Sequence, residues 1–414
     1  MYLDRPERDL AAIRLPVVGK VVPSDGIVPW MVLDAAGEPV EAIQRYLRDF
    51  IACGNKPGSV RSYAYDLHRW WRFLAAVEVD WDKATPREAC DFALWLQVTK
   101  KPRKYPRTKS AATVGKLNPV TRKQHLSDQY AARSIRHSNS VIRSFYEFWI
   151  DAGEGPLVNP MVRQRVNGRR ANAHHNPLRP FRAEGPLRYN PRLPKRRPRS
   201  MPDERWRDLF AAMRSNRDRA VLALAISTAA RANELLGMRG VDVNWGDQLI
   251  RVRRKGSGAE QWLPASPDAF VWLRLYLNDI GDPDPNEPLW WTLRRRRHGP
   301  EAKLERQPLN YEAWRGVLRR ANEQLGSNWT MHDARHTCAL RMVRDEHLSL
   351  RDVQFILNHA ELTTTEIYLV EDEDQVIARV REFLTERAET KVKPALPAPG
   401  YRQDDLDVLF GGAP

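Results

Sequence analysis

The residues of this chain that could do chemistry are basic side chains followed, near the C-terminal end, by a tyrosine. Together they could hold a phosphodiester and attack it covalently. The set consists of two arginines, two histidines and one tyrosine: Arg231, His332, Arg335, His359 and Tyr368. Arginine binds phosphate oxygens through paired hydrogen bonds, and a tyrosine oxygen can form a covalent intermediate. The order of these residues therefore suggests covalent attack on a phosphodiester.

The stretch from Thr330 to His336 predicts the start of a helix. Thr330 is a favourable N-cap residue, and Asp333, three positions later, completes a capping box. His332, Arg335 and His336 then fall in the first two turns, where offsets of three and four residues place side chains on one face. A helix N-terminus carries a partial positive charge, so this face is suited to an anion.

A zinc site is the alternative interpretation of His332 and His336, which are four residues apart. The metalloprotease pattern needs a glutamate directly after the first histidine, and this chain has Asp333 at that position. No third ligand is apparent in the sequence. We therefore predict neither a metal nor a cofactor.

Each residue of the set also has a simpler interpretation when it is taken alone. Arg231 follows an apolar helical stretch and could form a buried salt bridge with Glu234. Lys255, in a Lys-Gly-Ser-Gly sequence, would be an exposed lysine at the tip of a β-hairpin. His359 could cap a helix or pack, and Tyr368 could be a half-buried aromatic residue. The order of the whole set favours a catalytic role over these separate structural roles.

That ordered set closely resembles the tyrosine recombinases, the phage integrase family, over about residues 200–388. The family's pattern is an arginine before Glu-Leu, a lysine on a β-hairpin, His-x-x-Arg-His, Leu-Gly-His and then Thr-Thr-x-x-Tyr. This chain matches the pattern in order with Arg231, Lys255, His332, Arg335, His336, His359 and Tyr368. It departs from the pattern at Ala229, Ala230, Ala334 and Asn358, where the family usually has Gly, Leu, Leu and Gly. None of these departures removes a reactive side chain.

The resemblance implies a mechanism. Tyr368 would attack a backbone phosphate and form a 3′-phosphotyrosine with a free 5′-hydroxyl group, which conserves the bond energy so that no ATP is needed. His332 would be the base that activates the tyrosine. Arg231 and Arg335 would neutralise the non-bridging oxygens, and Lys255 would protonate the departing 5′-oxygen.

The resemblance also implies supporting roles for three residues. His359 would hydrogen-bond the phosphate, Glu234 would orient Arg231 from behind, and His336 would support its helix rather than touch the substrate. In the family four protomers assemble on two DNA sites, and the last helix docks on a neighbouring protomer. Here the candidate contacts are Val376, Val380, Phe383 and Leu384, for which packing within the same chain is the open alternative.

The charge of the chain is concentrated in one quarter of its length. The net charge is +15 over 414 residues, yet residues 101–200 alone hold 23 Lys and Arg against five acidic residues. A localised block of this kind favours contact with a polyanion, here double-stranded DNA, although a solvated linker is the open alternative.

Hydrophobic periodicity and breaker residues predict a mainly α protein with a small antiparallel β-sheet in its catalytic domain. The resemblance adds that the N-terminal helical bundle corresponds to the SAM-like core-binding domain of the family. The predicted segments are an extension with short strands (1–40), a helical DNA clamp (41–165) with a basic loop (100–128), a basic linker (166–200), the catalytic domain (201–390) and a disordered tail (391–414).

The sequence predicts a cytoplasmic protein. No run of roughly 18 apolar residues occurs, so we expect no membrane-spanning helix and no membrane partner. The N-terminus lacks a signal-peptide core. The cysteines Cys53, Cys90 and Cys338 are far apart, which indicates reduced thiols. We expect a tetramer on paired recombination sites, a monomer or dimer away from DNA, and room for accessory proteins.

Three functions remain open from the sequence. The length favours the integrase or transposase of a mobile element. A type IB topoisomerase or a telomere-resolving enzyme would use the same tyrosine chemistry, and relaxation of DNA without a specific site would reveal the topoisomerase. A non-catalytic DNA-binding protein that kept the fold should have lost at least one of the reactive groups, and none is missing.

Overall fold

The computed structural model describes residues 7–102, 111–165, 184–193, 199–297 and 304–358, together with Thr365, Ile367, Tyr368, Val380, Arg381, Thr385 and Asp404. The chain divides into two units, Met1–Lys195 and Arg196–Pro414. Within the described residues no helix combines the length and the apolar character that a bilayer crossing requires.

Helices with aromatic inner faces build the first unit. Within its described part they are α1 (Glu41–Ala52), α2 (Pro57–Ala76), α3 (Pro86–Val98) and α4 (Ala132–Asp151). Trp70, Phe73 and Phe145 are fully buried between them. The indole of Trp70 donates a 3.0 Å hydrogen bond to the hydroxyl of Tyr146, so the polar atoms of this aromatic core are also satisfied. The predicted helical bundle is confirmed.

The N-terminal extension consists of an irregular segment, residues 7–19, and a β-hairpin. Both contact the bundle, and the first is called the N-terminal strap. Strand β1 (Lys20–Pro23) pairs antiparallel with β2 (Trp30–Leu33), as the sequence predicted. Before the hairpin, Arg72 donates to the carbonyl of Pro16 at 2.6 Å, and Arg8 forms ion pairs with Glu88 at 2.9 Å and with Asp91. Side chains of α2 and α3 therefore fasten this segment along its length.

Two segments expected to be irregular are partly ordered. In the basic loop, Asn118 is buried, and its side-chain oxygen accepts hydrogen bonds from the backbone amides of Val120 and Thr121 at 2.9 Å. In the expected linker, strand β4 (Glu184–Leu187) pairs with β3 (Arg163–Arg165). This part of the expected linker is therefore regular structure, because its backbone groups find partners in β3.

The second unit is built around one nearly fully buried helix. Its described helices are α5 (Asp203–Ala211), α6 (Asn216–Thr228), α7 (Ala232–Leu236), α8 (Pro267–Ile280), α9 (Tyr311–Leu325), α10 (Met331–Val343) and α11 (Leu350–Leu357). Helix α6 packs against α8 and α10. It is apolar nearly all round, which is why it lies in the centre.

A small antiparallel sheet carries the predicted lysine. Strands β5 (Val243–Asn244), β6 (Leu249–Arg253) and β7 (Glu260–Pro264) lie in that order, and Ile250 pairs with Leu263 on the buried face. The turn between β6 and β7 holds Lys255, followed by Gly256 and Gly258 at φ +105° and +73°. A second pair, β8 (Arg296–Arg297) and β9 (Leu304–Glu305), lies further along the chain.

Three parts of the sequence interpretation concern residues outside those described. These are most of the last helix, including Val376, Phe383 and Leu384, most of the tail, and much of the linker. Val380 is described and is half exposed. The assignment of the last helix to a contact between protomers therefore stays a prediction.

Candidate active site

The N-terminus of α10 is formed as the sequence predicted. The backbone amide and hydroxyl of Thr330 both donate to the carboxylate of Asp333 at 2.7 Å. His332 keeps an exposed surface, whereas Arg335 is buried. The pKa of the His332 imidazole is lowered, first by loss of solvent and then by the charge of Arg335, with smaller effects of Arg231 and Lys255. Arg335, Arg231 and Lys255 therefore lie within electrostatic range of the His332 imidazole, whose neutral form they favour.

Arg335 is held rigidly in the interior of the second unit. Its Nη1 donates to the carbonyl of Ala229 at 2.5 Å, and its Nη2 donates to the carbonyl of Leu357 at 2.7 Å. Burial lowers the pKa of Arg335 to about 10, and the charge of Arg231 acts in the same direction. The guanidinium is thus still charged at neutral pH, so a desolvated cation is ready for an anionic ligand.

Arg231 caps the short helix α7 and is oriented by Glu234. Its Nη1 donates to Glu234 Oε1 at 2.8 Å, and its backbone amide donates to Oε2 at 2.9 Å. Burial alone would raise the pKa of Glu234, but these bonds and the backbone amide of Lys255 lower it overall. The carboxylate is therefore ionised, and it holds Arg231 in place.

The turns that place both arginines use left-handed backbone. Ala229 ends α6 at φ +52°, and Asn358 ends α11 at φ +48°. Glycine adopts this region without a steric penalty, asparagine tolerates it, and alanine is strained there. These are two of the positions at which this chain departs from the recombinase pattern by replacing glycine.

Lys255 lies at the base of its turn, beside Glu234. Its backbone amide donates to Glu234 Oε1 at 3.2 Å. The preceding residue, Arg254, was not predicted, yet it is almost fully buried and donates to Glu234 Oε2 at 3.0 Å. Strand alternation could have identified it. Ile250 and Val252 face the core, and the same period of two places residue 254 inward.

Tyr368 is buried, and its hydroxyl is engaged by a histidine. The phenol oxygen lies 2.8 Å from His336 Nδ1, and 4% of the residue's surface is exposed. Burial raises the pKa of Tyr368, against the opposing charges of Arg335 and Arg231. The tyrosine is therefore neutral at pH 7 and needs a base before it can attack.

The contact between His336 and Tyr368 was not expected from the sequence. The sequence analysis assigned His336 to supporting its helix and His332 to the base. In the structure the ring nitrogen beside the phenol belongs to His336, and the rings of the two histidines are 6.5 Å apart. Sequence reasoning missed this contact because it joins residues 32 positions apart through tertiary packing.

Of the predicted site residues, the structure brings together Arg231, Glu234, Lys255, His332, Arg335, His336 and Tyr368. His359 lies outside the described residues, directly after Asn358. In the part of the chain that the structure describes, no three His, Cys, Asp or Glu side chains are grouped so as to hold a metal ion. The site is a cluster of cations around one ionised carboxylate, next to a buried phenol. Such a cluster favours binding of an anion that the phenol could attack.

Comparison with known proteins finds a family model and several recombinases that match this chain. Residues 199–375 match the phage integrase family. The tyrosine recombinase XerA of Pyrococcus horikoshii is 27% identical over 43% of this chain and 59% of its own length, less than two thirds of that relative. The tyrosine recombinase XerC of Chromobacterium violaceum is 25% identical over 86% of this chain and 97% of its own length. Transposase A from transposon Tn554 of Staphylococcus aureus is 22% identical over 87% and 96%.

Solved structures share the fold. The integrase of transposon Tn1549, in complex with a circular intermediate DNA, superposes with a TM-score of 0.51 at 14% identity and covers 85% of this chain and 99% of that one. This likeness confirms the predicted fold class, a mainly helical protein with small antiparallel sheets. The segment that matches the phage integrase family, the tyrosine recombinases, contains the cluster of Arg231, Arg335 and Tyr368.

Proposed function

We propose that this protein is a site-specific DNA recombinase that breaks and rejoins strands through a 3′-phosphotyrosine intermediate. The observation that carries the proposal is the environment of Tyr368. Its phenol lies 2.8 Å from an imidazole nitrogen, and the charges of Arg335 and Arg231 act on it. A phenol beside an imidazole and within the electrostatic range of two guanidinium groups supports attack on a phosphodiester.

The proposed step transfers one proton from the nucleophile and one to the leaving group. The phenol oxygen of Tyr368 attacks phosphorus while His336 Nδ1 accepts the phenolic proton. The bond between phosphorus and the 5′-oxygen breaks, and Lys255 donates a proton to that oxygen. Rejoining is the reverse reaction with a 5′-hydroxyl of another strand, so the phosphotyrosine conserves the energy of the broken bond and no cofactor enters.

Arg231 and Arg335 carry the electrostatic part of the proposal. Two fixed guanidiniums would neutralise the charge that develops on the non-bridging oxygens, without the reorganisation that water would need. His359, which follows α11, would add a hydrogen bond to the same phosphate. Glu234 serves Arg231 and Lys255 rather than the substrate, because both of its oxygens are already occupied.

The proposed substrate is double-stranded DNA at paired sites, with four protomers assembled on them in the cytoplasm. The proposed biological role is that of the integrase or transposase of a mobile element. It is supported by the likeness to Transposase A of Tn554, which extends over 87% of this chain. The basic residues of 101–200 would supply phosphate contacts outside the reaction centre.

Trapping of covalent adducts tests this function without knowledge of the target sequence. The full-length protein is incubated with sheared genomic DNA from its source, denatured in detergent and recovered, and the attached DNA is sequenced. We expect adducts through a 3′-phosphate whose ends map to one or a few positions. Tyr368→Phe should retain binding to DNA but yield no adduct.

Two outcomes would contradict the proposal. Adducts that survive detergent in Tyr368→Phe would remove the nucleophile assignment. Adducts spread over the genome without a preferred position, together with relaxation of an unrelated supercoiled plasmid, would instead establish a topoisomerase. An absence of adducts in the wild-type protein would favour a non-catalytic DNA-binding role.

A further inference from the structure

Arg254 is a buried cation that the proposed mechanism does not use. Its side chain has no exposed surface, and all three guanidinium nitrogens are bonded. Nε donates to Gln261 Oε1 at 2.7 Å, Nη1 donates to Glu234 Oε2 at 3.0 Å, and Nη2 donates to the carbonyl of Ile356 at 2.6 Å. One side chain therefore joins the hairpin strand β7, helix α7 and the end of helix α11.

Stability alone is a poor explanation for such a residue. Arginine is almost never fully buried unless it is paired, and desolvation offsets much of the gain from a buried ion pair. Here the partner carboxylate is shared with Arg231. Burial lowers the pKa of Arg254 in spite of the opposing charge of Glu234. The arrangement gains little net energy, but it fixes the relative positions of three elements.

The contact with α11 is part of a larger junction. Three successive carbonyls at the C-terminus of this helix are each held by a different side chain: Phe355 by Gln261 Nε2 at 2.9 Å, Ile356 by Arg254, and Leu357 by Arg335 Nη2. Carbonyls at this end of a helix have no partner within the helix and attract cations. The hairpin and the buried arginine of the site are thus fastened to the same helix end, which directly precedes His359 in the sequence.

Lys255 directly follows Arg254 in the chain. Its backbone amide is bonded to Glu234 Oε1, the same atom that accepts from Arg231. The next residues of the turn include Gly256 and Gly258, both in left-handed conformations and both in open space. The backbone of Arg254 closes the turn, since its amide donates to the carbonyl of Ala259 at 2.8 Å and its carbonyl accepts from the amide of Gly258 at 3.0 Å. The position of Lys255 therefore depends on the residue that precedes it.

We propose that Arg254 is a positioning residue for Lys255. It would act by holding Glu234 and the end of α11 so that the lysine ammonium reaches the departing 5′-oxygen. The inference rests on the proposed recombinase function and deepens it. A misplacement of about 1 Å far from the reacting atoms can cost ~10²-fold in rate. Loss of Arg254 should therefore slow the step that needs a proton donor, while noncovalent DNA binding is little affected.

The test compares two leaving groups at the cleavage position mapped by adduct sequencing. One nicked duplex carries the natural 5′-oxygen, and the other carries sulfur in that bridging position. A thiol has a pKa of about 8.5 and leaves as the thiolate without a proton donor. We expect Arg254→Met to form the covalent adduct roughly 10²-fold more slowly than wild type on the oxygen substrate. On the sulfur substrate its rate should be within a few-fold of wild type.

Three further variants make the result specific. Lys255→Ala should show the same rescue by sulfur, because it removes the proton donor itself. Arg231→Ala should remain slow on both substrates, because its role is to neutralise non-bridging oxygens. Arg253→Met is the matched control: Arg253 precedes Arg254 in the chain but is 43% exposed and pairs with exposed Glu260. Its ratio of oxygen to sulfur rates should equal that of wild type.

The inference is overturned if Arg254→Met cleaves the oxygen substrate at the wild-type rate, or if it is slowed equally on both substrates. If Arg254→Met does not fold, Gln261→Ala decides the question, because it removes the strand side of the junction without stranding a buried charge. If Gln261→Ala slows cleavage of the oxygen substrate by a smaller factor and the sulfur substrate restores the rate, the inference is supported. If Gln261→Ala slows cleavage of both substrates, or of neither, the inference is overturned. A wild-type protein that is inactive on both duplexes would instead refute the recombinase function.

Discussion

At the scale of single residues, the clearest departure from expectation is the histidine that contacts Tyr368. The sequence correctly predicts that His332, Arg335 and His336 share the start of one helix, because the capping signal and the helical period are local. It could not identify which ring meets Tyr368, since that depends on how a distant segment folds back. The 2.8 Å contact assigns the role of the base to His336 within our proposal.

Substitution of the two histidines separates these assignments. We expect His336→Gln to reduce the rate of covalent adduct formation by about 10²–10⁴-fold, the usual contribution of a general base. His332→Gln should have a smaller effect, because His332 borders the arginines and keeps an exposed surface. The measurement is single-turnover cleavage of the mapped DNA site, with thermal unfolding as a check on the fold. The reverse order of effects would restore His332 as the base.

Arg254 shows the other limit of interpreting residues one at a time. Of the two adjacent arginines before the hairpin turn, Arg253 is partly exposed and Arg254 is buried. The alternation of Ile250 and Val252 on the buried face is the signal that sets Arg254 apart. Its partners Glu234 and Ile356 come from other elements, so the bonds themselves could not have been foreseen.

At the scale of elements, the strongest predictions were those with several agreeing local signals. The hairpin of β6 and β7 has alternation, a glycine-containing turn and a return strand, and it is present as predicted. Strand β4 has only four residues, including Gly185 and Pro186. It exists because β3 supplies partners for its backbone, and this is not visible in its own composition.

The end of α6 carries conformational strain that can be measured. Ala229 is fully buried at φ +52°, and a left-handed conformation costs an L-residue about 1–2 kcal/mol. In the helical body, Ala225→Gly should lower the free energy of unfolding by about 2 kcal/mol, through backbone entropy and removal of a buried methyl group. Ala229→Gly should lower the free energy of unfolding by about 1–2 kcal/mol less than Ala225→Gly does, because glycine relieves the strain at this position.

Chemical denaturation of both variants checks this difference. Ala225 is the matched control, since it lies in the same helix, is also buried and has ordinary helical geometry. Equal destabilisation by the two substitutions would mean that the turn before Arg231 stores no strain. A stable Ala229→Gly variant would also show whether the strained turn contributes to the position of Arg231, through its cleavage rate.

At the scale of the whole molecule, the cluster around Tyr368 and most of the net positive charge lie in different parts of the chain. The cluster around Tyr368 lies in the second unit, while much of the positive charge lies in residues 101–200. Composition predicted this imbalance and with it a polyanionic partner. It could not predict that part of the basic region is folded into turns and a strand, because that order arises from contacts with neighbouring chain segments.

Salt dependence tests the role of this charge. We expect the logarithm of the DNA association constant to fall linearly with the logarithm of salt concentration, with a slope of about −0.9 for each phosphate neutralised. Replacement of Lys195, Arg196, Arg197 and Arg199 by glutamine should make the slope shallower by up to ~0.9 for each phosphate no longer neutralised. Cleavage of pre-bound DNA should not change, because the reaction centre is intact.

Lys83→Gln provides the control for that experiment. Lys83 is an exposed lysine outside the basic block that already forms a 2.6 Å ion pair with Asp80. Its replacement should leave the salt slope unaltered. An unchanged slope in the fourfold variant would exclude these residues from phosphate binding and would favour the interpretation of this stretch as a solvated linker.

The way the N-terminal strap is fastened has a consequence for the boundaries of the first unit. Trp95 donates to the carbonyl of Ile13 at 3.3 Å, His68 lies 3.1 Å from that of Val18, and Glu88 meets Arg8. Without these residues, in a version that began at helix α1, the carboxylates of Glu88 and Asp91, the indole of Trp95 and the imidazole of His68 would face water. The helical bundle therefore starts, in physical terms, some thirty residues before its first helix.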